Sequence, residues 1–426
     1  MNIRSRFAQR EVLLSLLLGV LIREAFSFWT GHPTDFELWV RLGYAMIHGG
    51  DPYSSLPPAP GLSFASSFSI NNTPTIAYLP FWPIITGTVY LMYSVVGFGN
   101  RFVYYFLLKQ PVIAGDITLA YLLYSYVKSR KASGSIWVLR FWTFCPFTII
   151  ISGIWGMFDS IAMSFIMIAL TSTSQIKKGF WAGLGSFAKS IPAIYSIPLN
   201  VGQSRNLRGL LVAIALPTIA SLVTFTVMGW PLSIADRTLG STIDKGGDSM
   251  SVWDGLAYLV NLGIIPPLEP RTTEILGAIW IPAILIFTII AARKFRFETD
   301  YGVLQSLLVV TLAFLIFKGR VTEQYAIYLL ALSILDVSLW NPQRNKLFKL
   351  STATALAFLV SNNYFLLRFA SPTYPQVIQI EAQLGQSIGS IRLGTNFILG
   401  TVFTGLNIAY LIVLLRQGNS QIHATQ

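Results

Sequence analysis

Apolar runs of the length that a membrane crossing needs recur along this chain. The first, residues 11–29, directly follows a basic N-terminal stretch. A helix that crosses a bilayer needs about 20 apolar residues, and Lys and Arg concentrate in cytoplasmic loops. The pattern predicts an all-α, polytopic integral membrane protein in a single domain, residues 1–426, with about eleven to thirteen membrane segments. Further crossings are expected at residues 105–127, 135–154, 157–173, 208–228, 275–293, 302–317, 324–340, 350–367 and 394–415.

Charge and cysteine content exclude several other classes of protein. The chain is 53% hydrophobic and only 11% charged, about half the charge of a typical soluble domain. Its net charge of +12 comes from short basic clusters between apolar runs, so we expect membrane lipids around it and no nucleic-acid partner. Cys145 is the only cysteine and the three histidines include no HExxH-type pair. We therefore expect neither a disulfide framework nor a metal site.

Three long segments fall on the exterior side in this topology: residues 30–104, 229–274 and 369–392. Within the first, residues 36–48 carry apolar side chains at helical spacing, which indicates an amphipathic helix along the membrane interface. The apolar stretch 78–97 begins among prolines and is interpreted as a second interfacial or re-entrant helix. Residues 179–200 are broken at Lys189-Ser190-Ile191-Pro192, and two half-length helices that enter the membrane and return are expected there.

Two carboxylates, Asp35 and Glu37, follow the first apolar run. In an extended or loop conformation both could face one cavity, where a carboxylate could act as general base toward a hydroxyl. The alternative is a pair of ordinary solvated loop carboxylates.

Several ionisable residues lie within or beside the predicted crossings, where charges are costly and often functional. Three of them, Lys109, Lys189 and Arg320, could converge on one cavity and bind a phosphate diester. Internal salt bridges are the alternative, for example between Lys109 and either Asp116 or Asp159.

Six short motifs of charged, aromatic and proline residues occur in a definite order. They are Thr34-Asp35-Phe36-Glu37-Leu38-Trp39 with Gly49-Gly50-Asp51-Pro52-Tyr53, Asn72-Thr73-Pro74 with Tyr78-Leu79-Pro80, Lys109 with Asp116, Trp155-Gly156-Met157-Phe158-Asp159-Ser160, Lys189 with Pro192, and Arg320 with Gln324-Tyr325. In this order they resemble the membrane glycosyltransferases of the GT-C superfamily. The chain looks most like the mannosyltransferase branch, which includes the GPI mannosyltransferase I catalytic subunit and the enzymes of N-glycan assembly that use dolichyl-phosphate sugars. The resemblance covers the N-terminal half and one later helix.

The resemblance implies an inverting glycosyltransferase that moves a hexose, expected to be mannose, from a polyprenyl or dolichyl phosphate to a glycan or glycolipid acceptor. It implies that Asp35 is the catalytic base, with Glu37 beside it, and that residues 229–274 form a lid or part of the acceptor site. The residues expected to bind the donor phosphate are Lys109, Lys189, Arg320, Gln324 and Tyr325. Those expected to line the substrate cavity are Arg41, Tyr78, Asp116, Trp155, Asp159, Trp253 and Asp254.

No nucleotide-binding glycine-rich loop is present, which agrees with a lipid-borne donor, and no cofactor is expected. We expect a multi-pass protein in the plasma membrane of a prokaryote or in the endoplasmic reticulum of a eukaryote. The active site is expected on the exterior or lumenal side. An accessory membrane subunit is a candidate partner. A transporter or flippase for lipid-linked sugars is the main alternative, because broken helices and intramembrane charges occur there too. A non-catalytic membrane scaffold is the second alternative.

Overall fold

A computed structural model describes residues 3–54, 56–65, 76, 78–131, 133–201, 207–231, 249–267, 269–295 and 297–417, apart from a few side chains within helices. Every regular element in these ranges is helical. The α-helices are α1 (Ile3–Ser27), α2 (Asp35–Ile47), α3 (Phe81–Val96), α4 (Arg101–Arg130), α5 (Ser135–Phe144), α6 (Pro146–Ile149), α7 (Asp159–Thr171), α8 (Gln175–Ala188), α9 (Ser196–Asn200), α10 (Arg208–Met228), α11 (Val252–Asn261), α12 (Pro270–Ala278), α13 (Trp280–Lys294), α14 (Asp300–Phe317), α15 (Ala326–Leu339), α16 (Asn345–Asn362) and α17 (Gln376–Gln417). A π-helix, Ile150–Trp155, continues α6, and 3-10 helices lie at Ile191–Tyr195, Glu323–Tyr325, Pro342–Arg344 and Leu367–Ala370.

Five spans in the described ranges are long and apolar enough to cross a membrane: α4, α10, Glu274–Lys294, α14 and α17. A sixth results if α5 and Pro146–Trp155, whose axes differ by 49°, count as one broken span. The prediction of an all-helical chain with membrane-spanning segments is confirmed in this form. The count is lower than the about eleven to thirteen membrane segments expected from apolar length, because the helices at two predicted crossings, α7 and α15, have only 13 and 14 residues.

The helix α14 lies in the interior of the molecule, and 83% of its 18 residues are buried. By contrast, only 17% of the most apolar 18-residue stretch of α10 is buried, and this helix exposes apolar side chains such as Leu211, Ile219 and Val227. An exposed all-apolar surface of this kind suits a hydrocarbon surrounding rather than water. The chain therefore has a packed interior and a lipid-compatible periphery.

A buried ionic network joins α14, α15, α17 and the 3-10 helix Pro342–Arg344. Asp336 accepts hydrogen bonds from the side chains of four residues, and both Asp336 and Arg344 are fully buried. Buried charges of this kind are tolerated only when paired and hydrogen-bonded. The donors are Gln305 (2.7 Å), Asn341 (2.7 Å), Arg344 (2.9 Å) and Tyr410 (3.0 Å).

The structure confirms one predicted break in helical structure, and it also contains one unusually long helix. The break at Lys189 is confirmed, because α8 ends at Ala188 and a 3-10 helix starts at Ile191. The segment 369–392, expected on the exterior side, is largely helical. One uninterrupted helix of 42 residues, α17, begins at Gln376 and includes the last predicted crossing.

The helix predicted at residues 36–48 forms as α2, but it does not lie along a surface. Most of its side chains are buried, including Trp39, Val40 and Leu42, and it packs against α3. An amphipathic pattern predicts an interfacial helix only when nothing covers the polar face. Here residues 56–65 cover that face and provide partners for its charges.

Candidate active site

Asp35 is the first residue of α2, and its carboxylate remains accessible. Its side chain is 29% exposed, whereas most of the helix is buried. The N-cap residue Thr34 makes no side-chain capping bond. Instead, Nδ1 of His32 accepts hydrogen bonds from the backbone N–H groups of Thr34 and Asp35, both at 3.3 Å. His32 therefore satisfies N–H groups at the start of the helix that carry no intrahelical bond.

Trp155 fixes the orientation of the Asp35 carboxylate. Its indole Nε1 donates a hydrogen bond to Asp35 Oδ2 at 3.0 Å, and its ring stacks on His32 with centroids 4.9 Å apart. Nδ1 of His32 lies 3.5 Å from the same carboxylate oxygen. Because Nδ1 accepts backbone hydrogen bonds, this geometry requires the neutral imidazole with its proton on Nε2.

The π-helix Ile150–Trp155 positions Trp155 against Asp35. π-helical turns are rare and are frequently found at functional sites. The turn ends at Gly156, whose φ of 91° lies in the left-handed region, and a Cβ there would lie 3.1 Å from the Phe36 ring. Glycine is the residue that this backbone reversal and this close approach permit.

The electrostatic surroundings suit a base. Burial raises the pKa of the Asp35 carboxyl above its ordinary value of 3.8, because a low-dielectric surrounding disfavours the charged form. The hydrogen bond from Trp155 lowers this pKa part of the way back, as do three nearby cations: Lys189, Arg320 and Arg368. Burial and the charge of Arg368 hold the pKa of His32 well below 6.5. A carboxylate with a raised pKa beside a neutral imidazole is a stronger proton acceptor than a solvated aspartate.

Lys189 and Asp159 form a buried ion pair, and the charge of Lys189 acts on the Asp35 carboxyl. We refer to the surroundings of Asp35, including this pair, as the Asp35 cleft. The Nζ–Oδ2 distance is 2.6 Å and both side chains are essentially inaccessible. Three aromatic rings surround Nζ, and such rings attract a cation through their faces. They are Phe158 (5.1 Å), Tyr325 (5.4 Å) and Tyr78 (5.6 Å). Asp159 Oδ1 is buried, and the hydroxyl of Tyr328 lies close to this carboxylate.

Glu37 does not share the cleft with Asp35, so the expectation that both carboxylates face one cavity is wrong. Both residues lie in the first turn of a helix, where side chains two positions apart point in different directions. Glu37 Oε1 pairs with Arg41 at 2.7 Å, and Oε2 accepts from the backbone N–H of Phe64 at 2.9 Å. Arg41 in turn donates to the carbonyl of Leu56. The pair fastens residues 56–65 to α2 rather than lining a cavity.

Lys109 is placed to hold the backbone rather than a donor phosphate. Its fully buried Nζ donates to Thr30 O (2.7 Å), Thr30 Oγ1 (2.8 Å), Gly153 O (2.8 Å) and Ile154 O (2.9 Å). An ammonium group has three donors, and four oxygens already surround this one. Lys109 therefore joins the end of the first helical region to the π-helix, and neither proposed salt bridge, with Asp116 or Asp159, forms.

Asp116 also has a structural partner, Arg23, which sequence reasoning missed. Arg23 Nη2 lies 2.6 Å from Asp116 Oδ2 with both side chains fully buried. The remaining lone pairs of Asp116 accept from other residues, so this carboxylate is saturated. Its other donors are Ser160 (2.7 Å), Trp142 (3.1 Å) and Ser152 (3.1 Å). The available signal for Arg23 was its position, beside Glu24, inside an otherwise apolar run.

The other expected residues divide between the cleft and its supports. Arg320 is exposed, and its charge acts on Asp35 and on the ring of Tyr325. Gln324 is buried with its Oε1 atom lacking a partner among the described residues. Trp253 donates from Nε1 to Ile316 O at 2.7 Å and fastens α11 to α14. The side chain of Asp254 lies outside the described part of the structure, as do Asn72–Pro74 and residues 232–248 of the expected lid.

Sequence reasoning also missed Arg368 and Phe369, which complete one wall of the cleft. The ring of Phe369 lies 5.5 Å from Trp155 and 5.8 Å from His32. The backbone N–H of Gly31 donates to Phe369 O at 2.9 Å. This wall is assembled from chain segments more than 300 residues apart, and no local pattern in the sequence indicates it.

Among the described residues, no three His, Cys, Asp or Glu side chains are grouped so that they could hold a metal ion. Comparison with known proteins does not assign the chain to a family. No protein-family model matches it, and a search of curated proteins returned no match.

Proposed function

We propose that this protein is an inverting glycosyltransferase of the GT-C type that transfers a hexose, in the first instance mannose, from a polyprenyl-phosphate donor. In this proposal the Asp35 cleft opens on the exterior or lumenal side of the membrane, and the acceptor is a glycan or glycolipid. One observation carries it: an accessible carboxylate with a raised pKa, oriented by Trp155, in a cleft with the cations Lys189 and Arg320.

Asp35 serves as general base in this reaction. Its carboxylate takes the proton of the acceptor hydroxyl while the hydroxyl oxygen forms a bond to the anomeric carbon. The bond between that carbon and the phosphate oxygen breaks on the opposite face, and both bonding electrons leave with the polyprenyl phosphate. Attack from the face opposite the leaving group inverts the anomeric configuration.

The leaving phosphate gains negative charge in the transition state, and preorganised cations stabilise such charge strongly where water is excluded. Lys189 is held in place by Asp159 and three aromatic rings, so its ammonium is oriented before the donor arrives. Arg320 is exposed and can meet the phosphate from the solvent side. Lys109 has no role at the phosphate in this scheme, because its donors are taken by backbone oxygens.

The test is a transfer assay with purified protein and a panel of polyprenyl-phosphate hexoses, comparing wild type with Asp35→Asn. We expect the wild type to form product with one donor and Asp35→Asn to lose about 10²- to 10⁴-fold in rate, the range of a missing general base. Asp51→Asn is the matched control, since Asp51 is a nearby carboxylate that bonds its own turn at Tyr53.

Donor binding measured without acceptor separates catalysis from folding. Asp35→Asn should bind the donor with an affinity within about twofold of wild type, because a base acts on the acceptor. Unchanged transfer by Asp35→Asn removes the assignment of the base. Transport of a lipid-linked sugar across vesicles, without transfer to any acceptor, would instead establish the transporter alternative.

A further inference from the structure

A second ion pair, between Arg368 and Glu381, lies in the wall of the Asp35 cleft. Only one of the two hydrogen bonds that such a pair can form is present. Arg368 belongs to the 3-10 helix Leu367–Ala370 and Glu381 to α17. Nη2 of Arg368 donates to Oε1 of Glu381, and the side chains are 17% and 12% exposed. Nε of Arg368 and Oε2 of Glu381 are buried without a hydrogen-bond partner in the described ranges. A two-point guanidinium–carboxylate pair, the usual strong arrangement, would have joined these two atoms.

The backbone that presents Arg368 is strained. Tyr364, Phe365 and Leu366 have φ angles of 48°, 56° and 71°, in the left-handed region that non-glycine residues rarely occupy. Three such residues in succession persist only where the surrounding structure holds them, and backbone strain of this kind clusters at binding and catalytic sites. The turn reverses the chain after α16 and returns Arg368 toward the cleft.

Several contacts place the pair close to Asp35. The residue after Arg368 is Phe369, whose ring packs on Trp155 and His32, the two side chains that orient Asp35. The charge of Arg368 acts on both Asp35 and His32 and lowers the pKa of each. Lys189, by contrast, is held by Asp159 and by the rings of Tyr78, Phe158 and Tyr325, which belong to other elements. The cleft therefore has two polar walls, one built around Lys189 and one around Arg368.

The two unpartnered atoms specify the chemistry of a ligand. Nε–H of Arg368 requires an acceptor, and Oε2 of Glu381 requires a donor. A hydroxyl group is both, so one hydroxyl placed between them would satisfy both atoms at once. A phosphate dianion would meet the arginine but be repelled by the glutamate. The arrangement favours a neutral, hydroxyl-rich molecule, which is the chemistry of a sugar.

We propose that Arg368 and Glu381 form a subsite that binds a sugar hydroxyl of the acceptor, the molecule that receives the hexose. This inference rests on the proposed glycosyltransferase function, because only that function makes the bound sugar an acceptor. Sugar binding at the pair can still be measured without turnover. The donor phosphate is bound by the exposed Arg320, with the buried Lys189 ammonium acting on it through its charge, so both substrates lie beside Asp35.

The binding arm of the test uses methyl glycosides of mannose, glucose, galactose and N-acetylglucosamine as probes, with saturation-transfer NMR on the full chain in nanodiscs. We expect at least one glycoside to bind wild type and to bind Arg368→Lys and Glu381→Gln about tenfold more weakly, the effect of losing one hydrogen bond worth about 1.4 kcal/mol. Arg368→Lys keeps the charge and removes Nε–H. Arg130→Lys is the matched control, since Arg130 pairs with the exposed Asp300 elsewhere in the molecule.

The kinetic arm measures both substrates. The two variants should raise the acceptor KM about tenfold and leave the donor KM and kcat within about twofold. An equal loss in donor and acceptor KM, or the same loss in the Arg130→Lys control, overturns the subsite. So does the absence of glycoside binding to wild type. Thermal unfolding of both variants separates misfolding from lost recognition, and Glu381→Gln decides the matter if Arg368→Lys fails to fold.

The two arms also separate the subsite from the function on which it rests. Glycoside binding that is lost in the variants, in a wild-type protein that transfers no hexose, would uphold the subsite and refute the transferase. Transfer that is insensitive to both variants would do the reverse.

Discussion

Trp155 Nε1 donates a 3.0 Å hydrogen bond to Asp35 Oδ2 across 120 positions of sequence. This bond exists because the π-helix moves the tryptophan side chain out of α-helical register and Gly156 reverses the chain immediately afterwards. Lys109 holds the same π-helix at the carbonyls of Gly153 and Ile154. A buried cation thus supports the candidate base indirectly, through the backbone of the segment that carries its partner.

Replacing Trp155 by phenylalanine is expected to shift the pH dependence of transfer. The indole N–H stabilises the ionised carboxylate and lowers the pKa of Asp35, so Trp155→Phe should raise it further. A base with a higher pKa becomes deprotonated only at higher pH, so the acid limb of the pH–rate profile moves to higher pH. Trp253→Phe, which loses a bond to Ile316 O, should leave that limb in place.

Asp35→Asn is expected to make the protein more stable at neutral pH. Burial raises the pKa of Asp35 above 3.8, so the folded state resists ionisation that the unfolded state allows. The contribution of Asp35 to the free energy of unfolding is therefore fully present below pH 3.8 and is lost as pH rises through the pKa of the folded state. The amide lacks this loss, and we expect its Tm to exceed that of wild type at neutral pH.

The comparison of melting curves at several pH values checks this expectation. The difference between Asp35→Asn and wild type should shrink toward zero in acid, where both side chains are neutral. A variant that is less stable than wild type at neutral pH would contradict the destabilised carboxylate. Active sites commonly carry such a cost in stability.

The effects of substituting Lys189 and Asp159 should be coupled in protein stability, whereas donor affinity should depend on Lys189 alone. Removing either charge leaves the other buried without its partner, which costs about 3–5 kcal/mol. We expect Lys189→Met and Asp159→Asn each to be strongly destabilised and the double variant to recover much of the loss. Donor affinity should remain weak in the recovered double variant, because the ammonium that meets the phosphate is absent.

Unfolding and donor binding measured on all four proteins of this cycle check the prediction. Recovery of donor binding together with stability would show that Lys189 serves packing alone. Additive losses in stability would show that the pair is not coupled.

Lys109→Met should act on stability and not on the donor. The substitution leaves four backbone and side-chain oxygens without their donor, and each buried unsatisfied group costs about 1–3 kcal/mol. Whatever fraction folds should bind the donor with an affinity within about twofold of wild type. Filter binding of the donor, normalised to folded protein, is the measurement, and a selective loss of donor affinity would restore Lys109 to the phosphate site.

Some of these residues could be predicted from the sequence, and others could not. The positions of Asp35 and Lys189 follow local rules, since one ends an apolar run and the other interrupts one before a proline. Which buried charges pair with one another depends on how distant helices pack, so Arg23 with Asp116, 93 positions apart, was not foreseen. The assignment of Glu37 to the cavity was wrong because an extended conformation was assumed where a helix begins.

The wall that carries Arg368 was unpredictable for a different reason. Left-handed turns are normally indicated by glycine or asparagine, but Tyr364, Phe365 and Leu366 give no such signal. Their apolar sequence predicts continued helix, which is why residues 350–367 were expected to form one crossing. The structure ends that helix at Asn362.

The length of α17 has a mechanical consequence. Its 42 residues extend about 63 Å at 1.5 Å per residue, twice the about 30 Å of hydrocarbon in a bilayer. Glu381 lies near one end, and Tyr410, bonded to Asp336, near the other. Because the helix is continuous, a tilt of about 5° about the centre of its crossing, about 35 Å from Glu381, would displace Glu381 by about 3 Å. Since helices longer than the local bilayer accommodate by tilting, a change in bilayer thickness would change the distance between Glu381 and Asp35.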